Sequence, residues 1–171
     1  RYFQMGMIAA MAYPSLAKAP LSEMETLLKK IACDSFYDVI ELPPPRDPQV
    51  RDLWMKLLGQ SHMKVCYSAH GKLFAGGLNP NALPEEQRQQ AQQALIEAVD
   101  EAALMGCQEI SFLSRGWTPQ TQEAQVDALV KTTVSVCRHA AEQGMSVELE
   151  LFDSDIDKKS LLGPASLAAR F

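Results

Sequence analysis

Along the chain, short apolar or alternating runs are separated by longer stretches with helical spacing. The first run, Met7 to Ala12, is apolar throughout, as expected for a strand buried on both faces. After Pro14 and Pro20, Ser22 and Glu25 form an S-x-x-E pair that predicts a capped helix start. Met24, Leu27, Leu28 and Ile31 then recur at helical spacing. A second strand is predicted over Tyr37 to Leu42, where Pro43-Pro44-Pro45 stops any ladder. A helix follows over 48–58, with Val50, Leu53, Trp54, Leu57 and Leu58 facing inward.

The third strand is predicted over Met63 to Ser68, followed by a long Gly-containing loop from Ala69 to Pro80. Pro84 reads as the first residue of a helix that runs to about Met105 and stops at Gly106. Ala91, Ala94, Leu95, Ala98 and Ala102 line one side of it, small enough for close packing on a sheet. Glu109 to Leu113 is the fourth strand, with Ser114 to Pro119 as its exit loop. A helix over about 122–143 stops at Gly144, and Ser146 to Leu151 is the fifth strand. An amphipathic segment, 164–171, closes the sequence.

This strand–helix alternation predicts an α/β fold with a parallel sheet of five βα units and no internal linker. The pattern leaves two architectures. One is an open doubly wound sheet. The other is part of a (β/α)8 barrel, whose eight units take about 250 residues. The last residues, Ala165 to Phe171, form an apolar helical run without a Gly or polar stop, which favours the partial barrel. Residues 1–5 read as a tag remnant, and 6–171 as the N-terminal part of one barrel domain.

Composition changes this picture little. At 171 residues, 47% hydrophobic and 22% charged, the chain can bury one real core. A formal net charge of −5 argues against a nucleic-acid partner, and no apolar stretch is long enough for a membrane span. Cys33, Cys66, Cys107 and Cys137 are too dispersed for a CxxC site. They predict reduced, mostly buried thiols in a cytoplasmic protein.

In either architecture, chemistry belongs at the C-terminal ends of the strands. That filter selects Glu41, His70, Arg115, Glu150 and Asp153. Period-2 alternation places Glu148 and Glu150 on one face of the fifth strand, opposite Val147, Leu149 and Leu151. Two carboxylates on an interior strand face call for a metal or a cationic partner. Glu150 is therefore a divalent-metal ligand, one of a pair of salt-bridged acids, or part of an edge strand with that face in water.

Asp153, Asp155 and Asp157 alternate as in a calcium loop, but the Gly and Glu of an EF-hand are missing. Of these, Asp153 is the binding candidate, since it lies closest to Glu150. Glu41 is suited to a sugar hydroxyl or to an ion pair. His70 is suited to metal binding or proton transfer, or to a place on the surface. His62 and His139 fall at the wrong end or inside a helix. Gly71, Gly76 and Gly77 match no phosphate-cradle motif, although Lys72 or Arg115 could meet an acidic group of a substrate. There is no G-x-S-x-G and no HExxH.

Three stretches resemble the xylose isomerase-like barrels, a group that includes sugar phosphate isomerases/epimerases and the endonuclease IV-type enzymes. They are Tyr37 to Pro43, Gln87 to Phe112, and Gly144 to Glu150. The run from Phe152 to Pro164 is similar to a subgroup of the same barrels. The resemblance implies a (β/α) barrel with about five of eight units present. It implies a divalent metal (Mn, Mg, Co or Zn) held by the Glu that closes the fifth strand, here Glu150. The remaining ligands, an Asp, a His and a Glu, come in that family from strands six to eight. The implied activity is isomerisation or epimerisation of a sugar or sugar phosphate by proton transfer next to a carbonyl. His70 matches a His of the endonuclease branch, but the fourth-strand exit, Phe112-Leu113-Ser114-Arg115-Gly116, carries no His. With the negative charge, this makes DNA processing the weakest reading. A non-catalytic half-barrel that binds a small polar ligand or self-associates as a homo-oligomer is the alternative to the enzyme.

Overall fold

A computed structural model describes residues 2–16 and 18–171. Five parallel strands, β1 (Gly6–Ile8), β2 (Val39–Leu42), β3 (Lys64–Ser68), β4 (Glu109–Leu113) and β5 (Ser146–Glu150), pair in sequence order. The connecting helices are α1 (Ala9–Ala12), α2 (Leu21–Ala32), α3 (Pro48–Leu58), α4 (His70–Ala75), α5 (Glu85–Leu104), α6 (Gln122–Glu142) and α7 (Ala165–Ala168).

The strand order decides between the two architectures. A doubly wound sheet reverses direction at a switch point, which puts helices on both faces. Here every crossover advances to the next strand in the same sense, as in a barrel wall. Only one sheet face is therefore packed by helices. Ile40, Leu42, Tyr67, Ile110 and Phe112 point to that side and are fully buried. They meet Met24, Leu28, Trp54, Leu95 and Val136 in one core. The alternate strand positions (Glu41, Cys66, Ser68, Glu109, Ser111, Glu148 and Glu150) share the other, inner face, and their register places Glu41 beside Cys66 and Ser111 beside Glu148.

Helix ends follow local chemistry. The Asp47 carboxylate accepts from the Val50 amide at 2.9 Å and caps α3, with Pro48 in its first turn. Gly106 and Gly144 lie just past α5 and α6 with φ of 73° and 71°, the left-handed geometry that stops a helix.

Several local expectations are corrected. β1 is only three residues long, and Ala9–Ala12 coils into a helical turn. The Ser22–Glu25 capping box does not form. Pro20 is the N-cap of α2, and Thr26 Oγ1 donates to the Ser22 carbonyl instead. Pro84 caps α5 from outside rather than opening it. The 69–80 loop contains α4, and β5 ends at Glu150. All four cysteines are free, but only Cys107 is buried; Cys33 and Cys137 are exposed.

Candidate functional site

The C-terminal ends of β2, β3 and β5 converge on one cavity of about 300 Å³. Its polar lining is Glu41, Ser68, His70 and Glu150, and its apolar wall includes Ile8, Met11, Pro43 and Phe152. Each polar residue is positioned by a strand end or the residue just after it. Glu41 and Glu150 are inner-face positions of β2 and β5. Ser68 is the last residue of β3, and His70 opens α4 immediately beyond it.

Glu41, His70 and Glu150 each offer a ligand atom, and these atoms lie within 4.8 Å of one another. His70 Nε2 is 3.2 Å from Glu150 Oε1. Neither atom has a hydrogen-bond partner, although both are shut off from solvent. They sit at ion-pair distance without the alignment of a hydrogen bond. Ser111, buried on the same inner face and paired in register with Glu148, also helps to hold the Glu150 carboxyl below its ordinary value. Buried polar atoms without partners are costly, so His70 Nε2 and Glu150 Oε1 call for a group between them.

The far side of the imidazole suggests what that group is. Ser68 Oγ lies 2.9 Å from His70 Nδ1 and also stabilises the charged form of Glu41. Where that hydroxyl accepts from Nδ1–H, the Nε2 lone pair is free to meet a cation held between the imidazole and Glu150, and a second group that fixes the imidazole tautomer is the usual support of a metal-binding His. The donor set, one imidazole and two carboxylates, suits a divalent transition ion or Mg²⁺. Among the described residues this is the one cluster of three such groups.

The carboxylates are electrostatically distinct. Burial, then the neighbouring Glu150 charge, raises the Glu41 carboxyl above its ordinary value. His70 holds the Glu150 carboxyl below its own. Glu148, one pleat deeper, is raised by burial and by the Glu109 and Glu150 charges. The ring of Phe152 meets that of His70 edge-on at 5.6 Å and closes the outer side.

The structure thus brings Glu41, His70 and Glu150 together and sets the other two candidates apart. Asp153 turns away from the cavity. Its carboxylate accepts from the amides of Ile156, Asp157, Lys158 and Lys159, which pull its pKa down to about 2. Arg115 stacks its guanidinium carbon 4.5 Å over the Phe74 ring. Lys72 pairs with Glu101 on the helix side. His62 contacts the Tyr37 carbonyl and His139 pairs with Asp100, both away from the site. Sequence reasoning passed over Ser68 and Ser111. Period-2 alternation along β3 and β4 was the available signal, since it puts both on the face that carries Glu41 and Glu150.

No protein-family model matches this sequence, and no curated protein does. Solved structures do match. A D-tagatose 3-epimerase-like protein superposes with a TM-score of 0.68 at 18% identity, covering 94% of this chain and 59% of its own. D-psicose 3-epimerase from Clostridium cellulolyticum H10, solved with D-tagatose, gives 0.66 at 12% identity, covering 89% and 53%. The IolI protein with a bound zinc atom gives 0.62 at 13% identity, covering 86% and 51%. The chain thus spans about half the length of these structures. The likeness shows the fold: five consecutive βα units of a (β/α) barrel. Among the described residues, no helix is long and apolar enough to cross a membrane.

Proposed function

We propose that this chain carries the metal-binding half of a sugar isomerase or epimerase site, which moves a proton on the carbon next to a carbonyl. The observation that carries the reading is the convergence of Glu41, His70 and Glu150, with Nε2 and Oε1 buried, unpartnered and 3.2 Å apart. The fold neighbours support it, because two are named as 3-epimerases or similar to one, and a third holds zinc.

Glu150 and His70 would hold the ion, with Glu41 completing this chain's share of the ligands. When bound, a divalent metal polarises a hydroxy-carbonyl unit and eases loss of the adjacent proton. Everything else falls to the side chains. Ser68 keeps the imidazole oriented, so that Nε2 rather than Nδ1 faces the ion. Both carboxylates face the one cavity, where either could accept the proton from the carbon next to the carbonyl of a bound ketose. Ile8, Met11 and Phe152 form an apolar wall that limits water near that carbon.

The test uses Mn²⁺ or Zn²⁺ titrated into the purified protein, followed by solvent-deuterium exchange into D-fructose read by NMR. We expect one bound ion per chain and metal-dependent exchange at the carbon beside the ketone. Glu150→Gln should remove both. If the wild-type protein takes up no ion, or if Glu150→Gln binds it equally well, the reading is wrong.

A further inference from the structure

Gly71 follows His70 in α4 and lines the same cavity, yet its backbone does not call for glycine. Gly77, Gly106 and Gly144 have positive φ and open space where a Cβ would stand. Gly71 shows the reverse. Its φ is not positive, and a Cβ there would stand 3.2 Å from Cδ and 3.4 Å from Cγ of Pro44. It also lies within a helix, where Ala is favoured over Gly. What the position needs is therefore space, against the local preference.

Contacts this short are relieved only if one side gives by a few tenths of an ångström. The Pro44 side is the stiffer one. Pro43, Pro44 and Pro45 each have φ fixed by the ring. Both ends of the run are tied down: Leu42 is fully buried at the end of β2, Arg46 donates to the Ala19 carbonyl at 2.9 Å, and Asp47 caps α3. The helix is the softer side. It has six residues and one buried anchor, Leu73. Two of its amide bonds are long, from Leu73 to the Ala69 carbonyl at 3.5 Å and from Gly76 to that of Lys72 at 3.4 Å. Its ion pair, Lys72 with Glu101 at 3.0 Å, is partly exposed and therefore weak. A side chain at position 71 would displace α4 rather than the prolines.

That displacement falls on the proposed ligands. His70 is the first residue of α4 and adjoins Gly71. Glu41 stays with β2, three residues before Pro44, and Glu150 stays with β5. Moving α4 off Pro44 widens the gap between His70 and Glu41 while both carboxylates hold still. Metal–ligand distances are met to within about 0.2 Å, so a shift of a few tenths is felt by a bound ion.

We infer that Gly71 is a positioning residue of the site: its missing side chain lets α4 seat directly on Pro44, and that seat sets the spacing of His70 from Glu41. The inference rests on the metal-site reading for its consequence, but the seat itself is measurable without metal.

Imidazole proton resonances of the metal-free protein test it, compared by NMR among wild type, Gly71→Ala, Pro44→Ala and the double variant. The chain has three histidines, and His62 and His139 lie away from the site and serve as internal references. The His70 ring meets Phe152 edge-on at 5.6 Å, so its protons report small displacements through the ring current. Gly71→Ala should shift the His70 resonances alone, with circular dichroism unchanged. Pro44→Ala removes Cγ and Cδ, so the double variant should bring those resonances back toward wild type. Mn²⁺ affinity should follow the same pattern, about tenfold weaker in Gly71→Ala and recovered in the double variant. Failure of the wild type to take up Mn²⁺ would overturn the metal-site reading alone, because the resonances decide the seat by themselves. His70 resonances that stay in place in Gly71→Ala would overturn the inference. So would a double variant no nearer to wild type than Gly71→Ala.

Discussion

The two faces of the one sheet differ more than any two elements of the chain. They are built from alternate residues of the same strands. On the helix side, Ile40, Tyr67, Ile110 and Phe112 are fully buried and apolar apart from one phenol. On the inner side, Glu41, Cys66, Glu109 and Glu150 are partly buried and Glu148 is exposed. Burial is deep enough there to raise Glu41 and to push the Cys66 thiol up to about 12. Apolar burial on one face drives folding. The other face is left free to hold charges that would be intolerable in a core. Stability and chemistry are thus separated by a single step in register.

The largest expected effect tests that separation. Phe112→Ala on the helix side should cost about 3–5 kcal/mol, as for other deleted core aromatics. Glu148→Gln, on the inner side of the neighbouring strand, should stay within about 0.5 kcal/mol of wild type, because it removes a charge that its neighbours already disfavour. Urea denaturation of both variants gives the comparison. Similar losses from the two would mean that the inner face is also a stability element.

A middle-sized effect sharpens the inner side. Ser68→Ala removes the hydroxyl that touches His70 Nδ1 and supports Glu41. It takes away no proposed ligand. Metal affinity should fall by about tenfold, the lower end of what orienting groups supply, while the unfolding midpoint hardly moves. An unchanged affinity would remove Ser68 from the account and leave the imidazole tautomer without a cause.

Much of this was legible in the residues. Alternation in β5 placed Glu150 and Glu148 together, and the rule that chemistry sits at strand C-terminal ends picked out Glu41 and His70. Where local chemistry misled, the reason is specific. The Met7–Ala12 run is apolar throughout and has no period to choose strand over helix, and three of its last four residues are alanines, which favour a helical turn. The S-x-x-E pair matched a capping pattern, yet Pro20 with its extended backbone took the cap position first. The glycines of 69–80 masked α4, whose buried anchor is the single Leu73. The choice between a barrel wall and a doubly wound sheet was beyond any periodic signal, because both use the same strand pattern and differ only in strand order. The seating of Gly71 on Pro44 left no trace in spacing either, because it joins two segments that are distant in sequence.

The smallest effect concerns Asp153, three residues beyond Glu150 yet turned from the cavity. Its ordinary pKa of 3.8 drops to about 2 through four backbone N–H donors. A group whose folded pKa is depressed contributes stability above its unfolded value and loses it as pH falls through the folded one. The turn at 153–160 should therefore hold its full protection at pH 5 and loosen between about pH 4 and 2, a window set by those two values. Amide exchange at Ile156 and Lys158 reads this directly. In Asp153→Asn the amide oxygen still accepts hydrogen bonds but has no charge to lose. Protection should be weaker at pH 5 and nearly flat down to pH 2, with the core strands unaffected. Parallel acid profiles for wild type and variant would show that the turn is held by its packing against Ser114 and Ser160 rather than by the carboxylate.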